Sequence, residues 1–272
     1  MLMRAPSVVL ASAVMLCGCD LLDSATATTV LGGLVVATPA TSIPNRLELD
    51  AEVFASAWVG ERASPTSTAA PTPIGTATVD LTSASGAVSL PVTDAANGVY
   101  FQSSLTDANL VYVGGAQYQL TATIDGIRFG GSVEAPPALS PSGLVLDPTP
   151  TEQVPNLPDV GIHPANTALT VSWGSQFGRY AYLVVFREDP NAPTQPVLVY
   201  DNRPDTIAET LAFVQGTPPT SIRIPADTFA QDGLYAVTLV AMNRADDLLP
   251  DTFIGSPILV GSGTAVLLAV GQ

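Results

Sequence analysis

The chain contains few of the residues on which most enzyme active sites depend. Its 272 residues include one histidine, two cysteines and nine basic residues, all of them arginine. A nucleophilic triad needs a histidine base beside its serine, and a zinc site usually needs several His or Cys ligands. The single histidine, His163, precedes Pro164, and we expect it to be a turn residue. The sequence therefore predicts that the chain is not an enzyme and uses no cofactor.

The small amount of charge in the chain is mostly of one sign. Only 12% of the residues are charged, 24 of them acidic and 9 basic, which gives a formal net charge of −15. The arginines are scattered and form no basic patch with interleaved aromatic residues. Such a chain is repelled by nucleic acid and by anionic lipid surfaces, so we exclude nucleic acid as a partner.

Long hydrophobic runs are also missing, and the apolar run near the N-terminus is short. Arg4 precedes the apolar residues 8–16 (VVLASAVML), which are too few for a membrane-spanning helix of about 20 residues. A basic residue, a short apolar core and small residues, in this order, are typical of a secretory signal peptide. We therefore predict that residues 1–18 are removed on export.

The end of this segment carries a specific motif. Leu16, Cys17, Gly18 and Cys19 read LCGC, which resembles the lipobox of bacterial lipoproteins. The resemblance implies cleavage before Cys19, attachment of a diacylglycerol to its thiol, and acylation of the new amine by a fatty acid such as palmitate. Cys17 would leave with the signal peptide. Two alternatives stay open: an ordinary signal peptide cut nearby, which would leave a free cysteine, and an uncleaved hydrophobic N-terminus.

The remainder of the chain has the pattern of strands separated by Gly, Pro, Asn and Asp. In residues 116–125 (AQYQLTATID), apolar and polar residues alternate, and Asp125-Gly126 is typical of a two-residue hairpin turn. Residues 47–59 (LELDAEVFASAWV) alternate in the same way and predict one strand. No amphipathic helix is evident. The sequence therefore predicts an all-β fold of two tandem antiparallel β-sandwiches.

The two sandwiches can be given boundaries. Residues 19–27 would be a lipidated tether, and residues 28–138 an immunoglobulin-like sandwich of roughly seven strands. Residues 139–159 are rich in proline, which cannot donate to a strand ladder, and they predict a linker or an edge strand. Residues 160–272 would form the second sandwich.

The second sandwich carries a more specific resemblance. The segments LTVSW at residues 169–173, YAYLVVFRED at residues 180–189 and YAVTLVAMN at residues 235–243 are similar to strands B, C and F of fibronectin type III domains. The resemblance implies that Trp173 packs in the core and that Tyr235 forms the tyrosine corner before strand F. The segment SIRIPA, from residue 221, lies where strand E would be expected.

Several acidic and aromatic residues are candidates for chemistry or binding. Asp246, Asp247 and Asp251 lie in one predicted loop and are candidate calcium ligands, although no DxDxDG spacing is present. Paired carboxylates could hydrolyse glycosides, but those on strands fall at solvent-facing positions. Most aromatic residues stand at strand spacing, which indicates core packing.

Three functions follow, in order of preference. The first is a lipid-anchored protein of the bacterial cell envelope that acts as a non-enzymatic interaction or structural module and meets a protein or glycan partner. The second is a carbohydrate- or peptide-binding subunit of an envelope assembly, for which Trp58 or Tyr200 should be exposed in a concave patch. The third is a hydrolase that uses only carboxylates. Asp20 resembles an inner-membrane retention signal of enteric bacteria, but the choice between inner and outer membrane stays open.

Overall fold

The computed structural model describes residues 27–43, 46–67, 69, 71–150, 153–154, 157–192, 195–203, 213, 218–253 and 256–271. The predicted signal peptide and Cys19 lie outside these residues. The regular elements of the described chain are strands and three short 3-10 helices, Pro141–Gly143, Ser175–Phe177 and Ala226–Phe229. The predicted all-β sandwich class is confirmed.

A single large sheet runs through both halves of the chain, with eleven strands. Its strands are β1 (Thr29–Thr38), β4 (Glu52–Glu61), β5 (Thr72–Pro73), β8 (Val92–Asp94), β9 (Val99–Ser103), β13 (Gln153–Val154), β14 (Leu157–His163), β16 (Tyr180–Arg187), β17 (Val197–Asp201), β19 (Gly233–Arg244) and β21 (Ile258–Val270). Eight of them are hydrogen-bonded neighbours in the order β17-β16-β19-β21-β1-β4-β9-β8. In addition, β5 pairs with β4, β14 with β21, and β13 with β14.

Two smaller sheets and a hairpin pack against this main sheet. Their strands are β2 (Thr41–Ile43), β3 (Leu47–Leu49), β6 (Thr78–Ser83), β7 (Gly86–Leu90), β10 (Gln117–Ile124), β11 (Ile127–Glu134), β12 (Leu144–Asp147), β15 (Leu169–Trp173), β18 (Ser221–Ile224) and β20 (Asp247–Leu248). The five-stranded sheet has the order β20-β11-β10-β6-β7, and the three-stranded sheet has the order β12-β15-β18. Among the described strands, β2 and β3 pair only with each other.

The first sandwich forms where the five-stranded sheet covers one half of the main sheet. Strand β10 has the predicted alternation, with Tyr118, Leu120 and Ala122 buried in the core. The turn after it has positive φ at both Asp125 (50°) and Gly126 (83°), as a type I′ hairpin requires. The strand predicted over residues 47–59 is instead divided into β3 and β4, because residues 50 and 51 are exposed and outside any ladder.

The second sandwich forms where the three-stranded sheet covers the other half. Its sheets place β12, β15 and β18 opposite β17, β16, β19 and β21, so the segments compared with strands B and E lie in one sheet and those compared with C and F in the other. Trp173 is buried in the core between them. The Tyr235 hydroxyl donates to the Gln231 carbonyl oxygen at 2.6 Å, which is the geometry of a tyrosine corner.

Strand β21 contributes to both cores. Its residues Ile258 and Val260 pack in the first core, and Leu268 and Val270, on the same face, pack in the second. Along its edge away from β19, it pairs in parallel first with β1 and then with β14. The two sandwiches therefore share a strand, and two pairings are parallel where antiparallel ones were expected.

The segment predicted as a linker, residues 139–159, is built into the fold. Leu139 is buried in the second core, and β12 forms the edge of the three-stranded sheet by pairing with β15. The segment also contains β13 and the start of β14, which pairs with β21 farther along the chain. Proline content predicted a linker or an edge strand for the whole segment. Strand β12, which contains no proline, lies at an edge, whereas β14, which contains Pro158, pairs with both β13 and β21.

Candidate interaction surface

The residues proposed for catalysis or metal binding are not assembled into a site. Asp246, Asp247 and Asp251 are exposed, and β20 holds Asp247 against Ser132 of β11. Within the described ranges, no group of three or more His, Cys, Asp or Glu side chains could hold a metal ion. The three aspartates therefore do not meet as the calcium hypothesis requires.

His163 is not the turn residue that was expected. It ends β14 and is 1% exposed, because β14 pairs with β21 and the imidazole packs edge-on against Phe229 at 4.5 Å between ring centroids. Its Nε2 lies 2.9 Å from the Thr167 carbonyl oxygen, so this nitrogen carries the proton and donates. Nδ1 is buried without a hydrogen-bond partner.

The aromatic residues proposed as a ligand platform are mostly covered. Trp58 is 6% exposed, and Tyr200 is partly buried against the second core. Neither is the exposed aromatic residue in a concave patch that a carbohydrate-binding subunit would need. Trp58 lies on the face of β4 opposite Ala57 and Val59, which pack in the first core.

The first sandwich has two opposite ends, which the pairing of β1 with β4 identifies. Antiparallel pairing of β1 with β4 places Thr29 opposite Glu61 at one end and Thr38 opposite Glu52 at the other. The described chain enters the fold through residues 27 and 28, so we name the first of these the entry end. A strand of ten residues is about 33 Å long, which is the separation of the two ends.

The end opposite the entry end carries the loop of residues 104–116, which joins β9 to β10. The loop begins beside β4, because the Ser104 amide donates to the Val53 carbonyl oxygen at 2.8 Å. Its exposed aliphatic side chains are Leu105 (71% exposed), Val111 (43%) and Val113 (41%). Exposed apolar side chains grouped on a loop are typical of contact surfaces.

Internal contacts fix the conformation of this loop. Leu110 is 2% exposed and anchors it in the first core. The Tyr118 hydroxyl donates to the Val111 carbonyl oxygen at 2.8 Å and accepts from the Val113 amide at 2.7 Å. The Tyr112 hydroxyl donates to the Pro136 carbonyl oxygen at 2.6 Å, and burial raises the pKa of Tyr112 to about 12. An ordered loop loses little conformational entropy on binding.

Sequence reasoning did not identify this loop. The segment LVYV at residues 110–113 resembles part of a strand, and nothing local distinguishes the buried Leu110 from the exposed Val111 and Val113. The only available signal was the spacing of Tyr112 and Tyr118 near two glycines. Their rings stack at 6.2 Å between centroids.

Comparison with known proteins does not assign the chain to a family. No family model matches the chain, and no curated protein matches it. Among solved structures, "chicken CNTN1 FN1-FN3 domains" aligns at 12% identity and a TM-score of 0.23, covering 86% of this chain and 66% of that one. Trypsin-activated alpha-2-macroglobulin from Escherichia coli aligns at 11% identity and a TM-score of 0.23, covering 89% of this chain and 16% of that one. The chain thus spans less than two thirds of either structure.

No helix in the described part of the chain has the length and apolar character needed to cross a bilayer.

Proposed function

We propose that this protein is a lipid-anchored, non-enzymatic interaction module of the bacterial cell envelope. The observation that carries the proposal is the LCGC motif ending at Cys19, behind a short apolar segment. A lipid on Cys19 would hold the chain firmly, because each buried methylene contributes about 0.8 kcal/mol and two or more acyl chains give a durable anchor.

The position of the anchor gives the body an orientation. Cys19 precedes Ala27, the first described residue, by eight positions, a span of at most about 28 Å. The entry end would then face the membrane, and the 104–116 loop would face away from it. The loop is therefore the surface that we propose for contact with a protein partner.

The anchor is tested by Cys19→Ala, with Cys17→Ala as the matched control. We expect the wild-type chain and the Cys17 variant to fractionate with membranes and to carry the mass of a lipid. The Cys19 variant should lose both properties. Unchanged membrane association and unchanged mass in the Cys19 variant would refute the anchor.

The contact surface is tested separately in the lipidated protein. A photo-crosslinking residue at position 111 should give a defined adduct in cells, and the same residue at the exposed position 145 of β12 should not. Leu105→Ser should weaken the adduct without changing membrane fractionation. Equal labelling from positions 111 and 145 would refute the loop as the contact surface.

A further inference from the structure

Arg62 lies at the entry end, directly after β4. Its amide donates to the Thr28 carbonyl oxygen at 3.0 Å, which places it beside the point where the chain enters the fold. The residue is 7% exposed. Its guanidinium carbon lies 4.4 Å from the ring centroid of Phe253, and the Phe253 amide in turn donates to the Thr29 carbonyl oxygen.

Among the described residues, no acidic side chain pairs with the guanidinium. The ion pairs of the described residues join Arg46 to Glu188 and Arg203 to Asp201, and no side-chain hydrogen bond from Arg62 occurs within that part of the chain. The buried side-chain nitrogen and oxygen atoms that lack a partner there are His163 Nδ1 and Thr238 Oγ1. The guanidinium nitrogens of Arg62 are not among them, so they keep contact with solvent.

This arrangement suits an oxyanion. The guanidinium carbon lies over the Phe253 ring in a cation–π contact, and no acceptor among the described residues takes a hydrogen bond from its N–H groups. Burial lowers the pKa of Arg62, because the charged form loses part of its hydration. A planar fork of donors binds phosphate oxygens in a bidentate manner, and an ion pair here would recover the lost solvation.

The source of the phosphate follows from the position of Arg62 and the charge around it. If Cys19 is lipidated, the entry end lies within about 28 Å of the lipid headgroups. Glu61 and Asp251 are exposed at the same end, and the whole chain is strongly acidic. A headgroup that carries an ammonium beside its phosphate matches this mixture of charges, whereas a net anionic headgroup would be repelled.

We propose that Arg62 binds the phosphate of a zwitterionic phospholipid headgroup and so holds the entry end against the membrane surface. This inference rests on the proposed lipid anchor. The contact orients a body that is otherwise joined to the bilayer only through the tether.

The test uses the lipidated full chain, reconstituted into phosphatidylcholine vesicles that contain a lipid with a nitroxide-labelled headgroup. The mature chain would have no cysteine besides the modified Cys19, so a single fluorophore can be placed by Ile127→Cys at the entry end or by Leu105→Cys at the opposite end. Ile127 is 54% exposed. It begins β11 at the entry end, because the Gly130 amide donates to the Thr252 hydroxyl and Thr252 bridges to Thr29. We expect the nitroxide to quench the label at position 127 more strongly than the label at position 105.

Removing the charge should release the entry end. Arg62→Gln should reduce quenching at position 127 by up to about fivefold, the upper end for one ion pair at a protein surface, and Arg62→Lys should retain part of it. The control, Arg223→Gln on the exposed face of β18, makes the same charge change and should have no effect. Thermal unfolding of each variant checks that it is folded.

A second arm needs no substitution and therefore does not depend on the folding of a variant. On vesicles made of a glycosyl diacylglycerol, which has no phosphate, the wild-type chain should show the weak quenching of the Arg62→Gln variant. Equal quenching on the two kinds of vesicle, or no effect of Arg62→Gln, would overturn the role of Arg62. If the wild-type chain still floats with the vesicles in that case, the proposed lipid anchor is unaffected. A wild-type chain that does not float would overturn both.

Discussion

The guanidinium of Arg46 makes two hydrogen bonds to the carboxylate of Glu188, a residue 142 positions away in the sequence. Arg46 Nε donates to Oε2 at 2.9 Å and Nη2 donates to Oε1 at 2.7 Å. Oε1 also accepts from the Leu234 amide at 3.0 Å. Arg46 precedes β3, and Glu188 follows β16, so the pair fastens a hairpin from the first half of the chain to the second sandwich.

Loss of this ion pair should destabilise the fold. The Glu188 side chain is 7% exposed and that of Arg46 is 42% exposed, so Arg46→Ala leaves a buried carboxylate with one remaining donor. We expect the free energy of unfolding to fall by about 1 to 2 kcal/mol, less than for a fully buried pair because water reaches Arg46. Urea unfolding measures this change in the free energy of unfolding, and Arg223→Ala at an exposed position of β18 is the control. Equal effects of the two substitutions would contradict the prediction.

The shared strand β21 should make the two sandwiches unfold together. Val260 is fully buried in the first core and Leu268 in the second. Val260→Ala should cost about 2 kcal/mol and Leu268→Ala about 3 kcal/mol, as buried truncations do. Calorimetry should show one transition that both substitutions move, while Val145→Ala at an exposed position leaves it in place. Two transitions that respond separately would show that the sandwiches are independent.

The parts of the fold that depend on local pattern could be predicted from the sequence. The alternation in β10 and the turn at Gly126 follow from a two-residue period and from glycine's tolerance of positive φ. Trp173 and Tyr235 occupy the positions that their segments indicated. These features involve residues that lie close together in the chain, so a short window contains the information that determines them.

Pairing between distant strands could not be predicted in this way. The parallel register of β1 with β21 joins Gly33 to Ile258, and the pattern of each strand indicates burial without naming its partner. Glycine at position 33 leaves room for the Leu120 side chain, which a Cβ there would overlap. The burial of His163 and the packing of Arg62 against Phe253 also involve residues that are distant in the sequence, so neither was predicted.

Two tyrosines should make the protein sensitive to alkali. Burial raises the pKa of Tyr112 and of Tyr182 to about 12, above the usual value of 10.0 in the unfolded chain. Between pH 10 and pH 12 the folded state keeps protons that the unfolded state has released. The contribution of the two tyrosines to the free energy of unfolding is therefore complete below pH 10 and is lost as the pH rises towards 12. Absorbance at the tyrosinate band should show late titration of both groups. Tyr112→Phe should make stability fall less steeply over this range.

Tyr118 should control the order of the 104–116 loop more than the packing beneath it. Tyr118→Phe keeps the buried ring, which is 1% exposed, and removes the hydroxyl that joins the Val111 carbonyl oxygen to the Val113 amide. Both backbone groups then lose a partner, and the free energy of unfolding should fall by about 1 to 2 kcal/mol. Hydrogen exchange should accelerate at the Val113 amide in particular, because that amide donates to the missing oxygen.

The effect on binding should follow from the same loss of order. If the exposed Val111 and Val113 contact a partner, a looser loop must be ordered again on binding, and the crosslink from position 111 should weaken. Tyr200→Phe is the matched control, since the described residues offer no hydrogen-bond partner to the Tyr200 hydroxyl. Faster exchange at Val113 with an unchanged crosslink would show that loop order does not contribute to binding, and the exposed aliphatic side chains alone would then account for the contact.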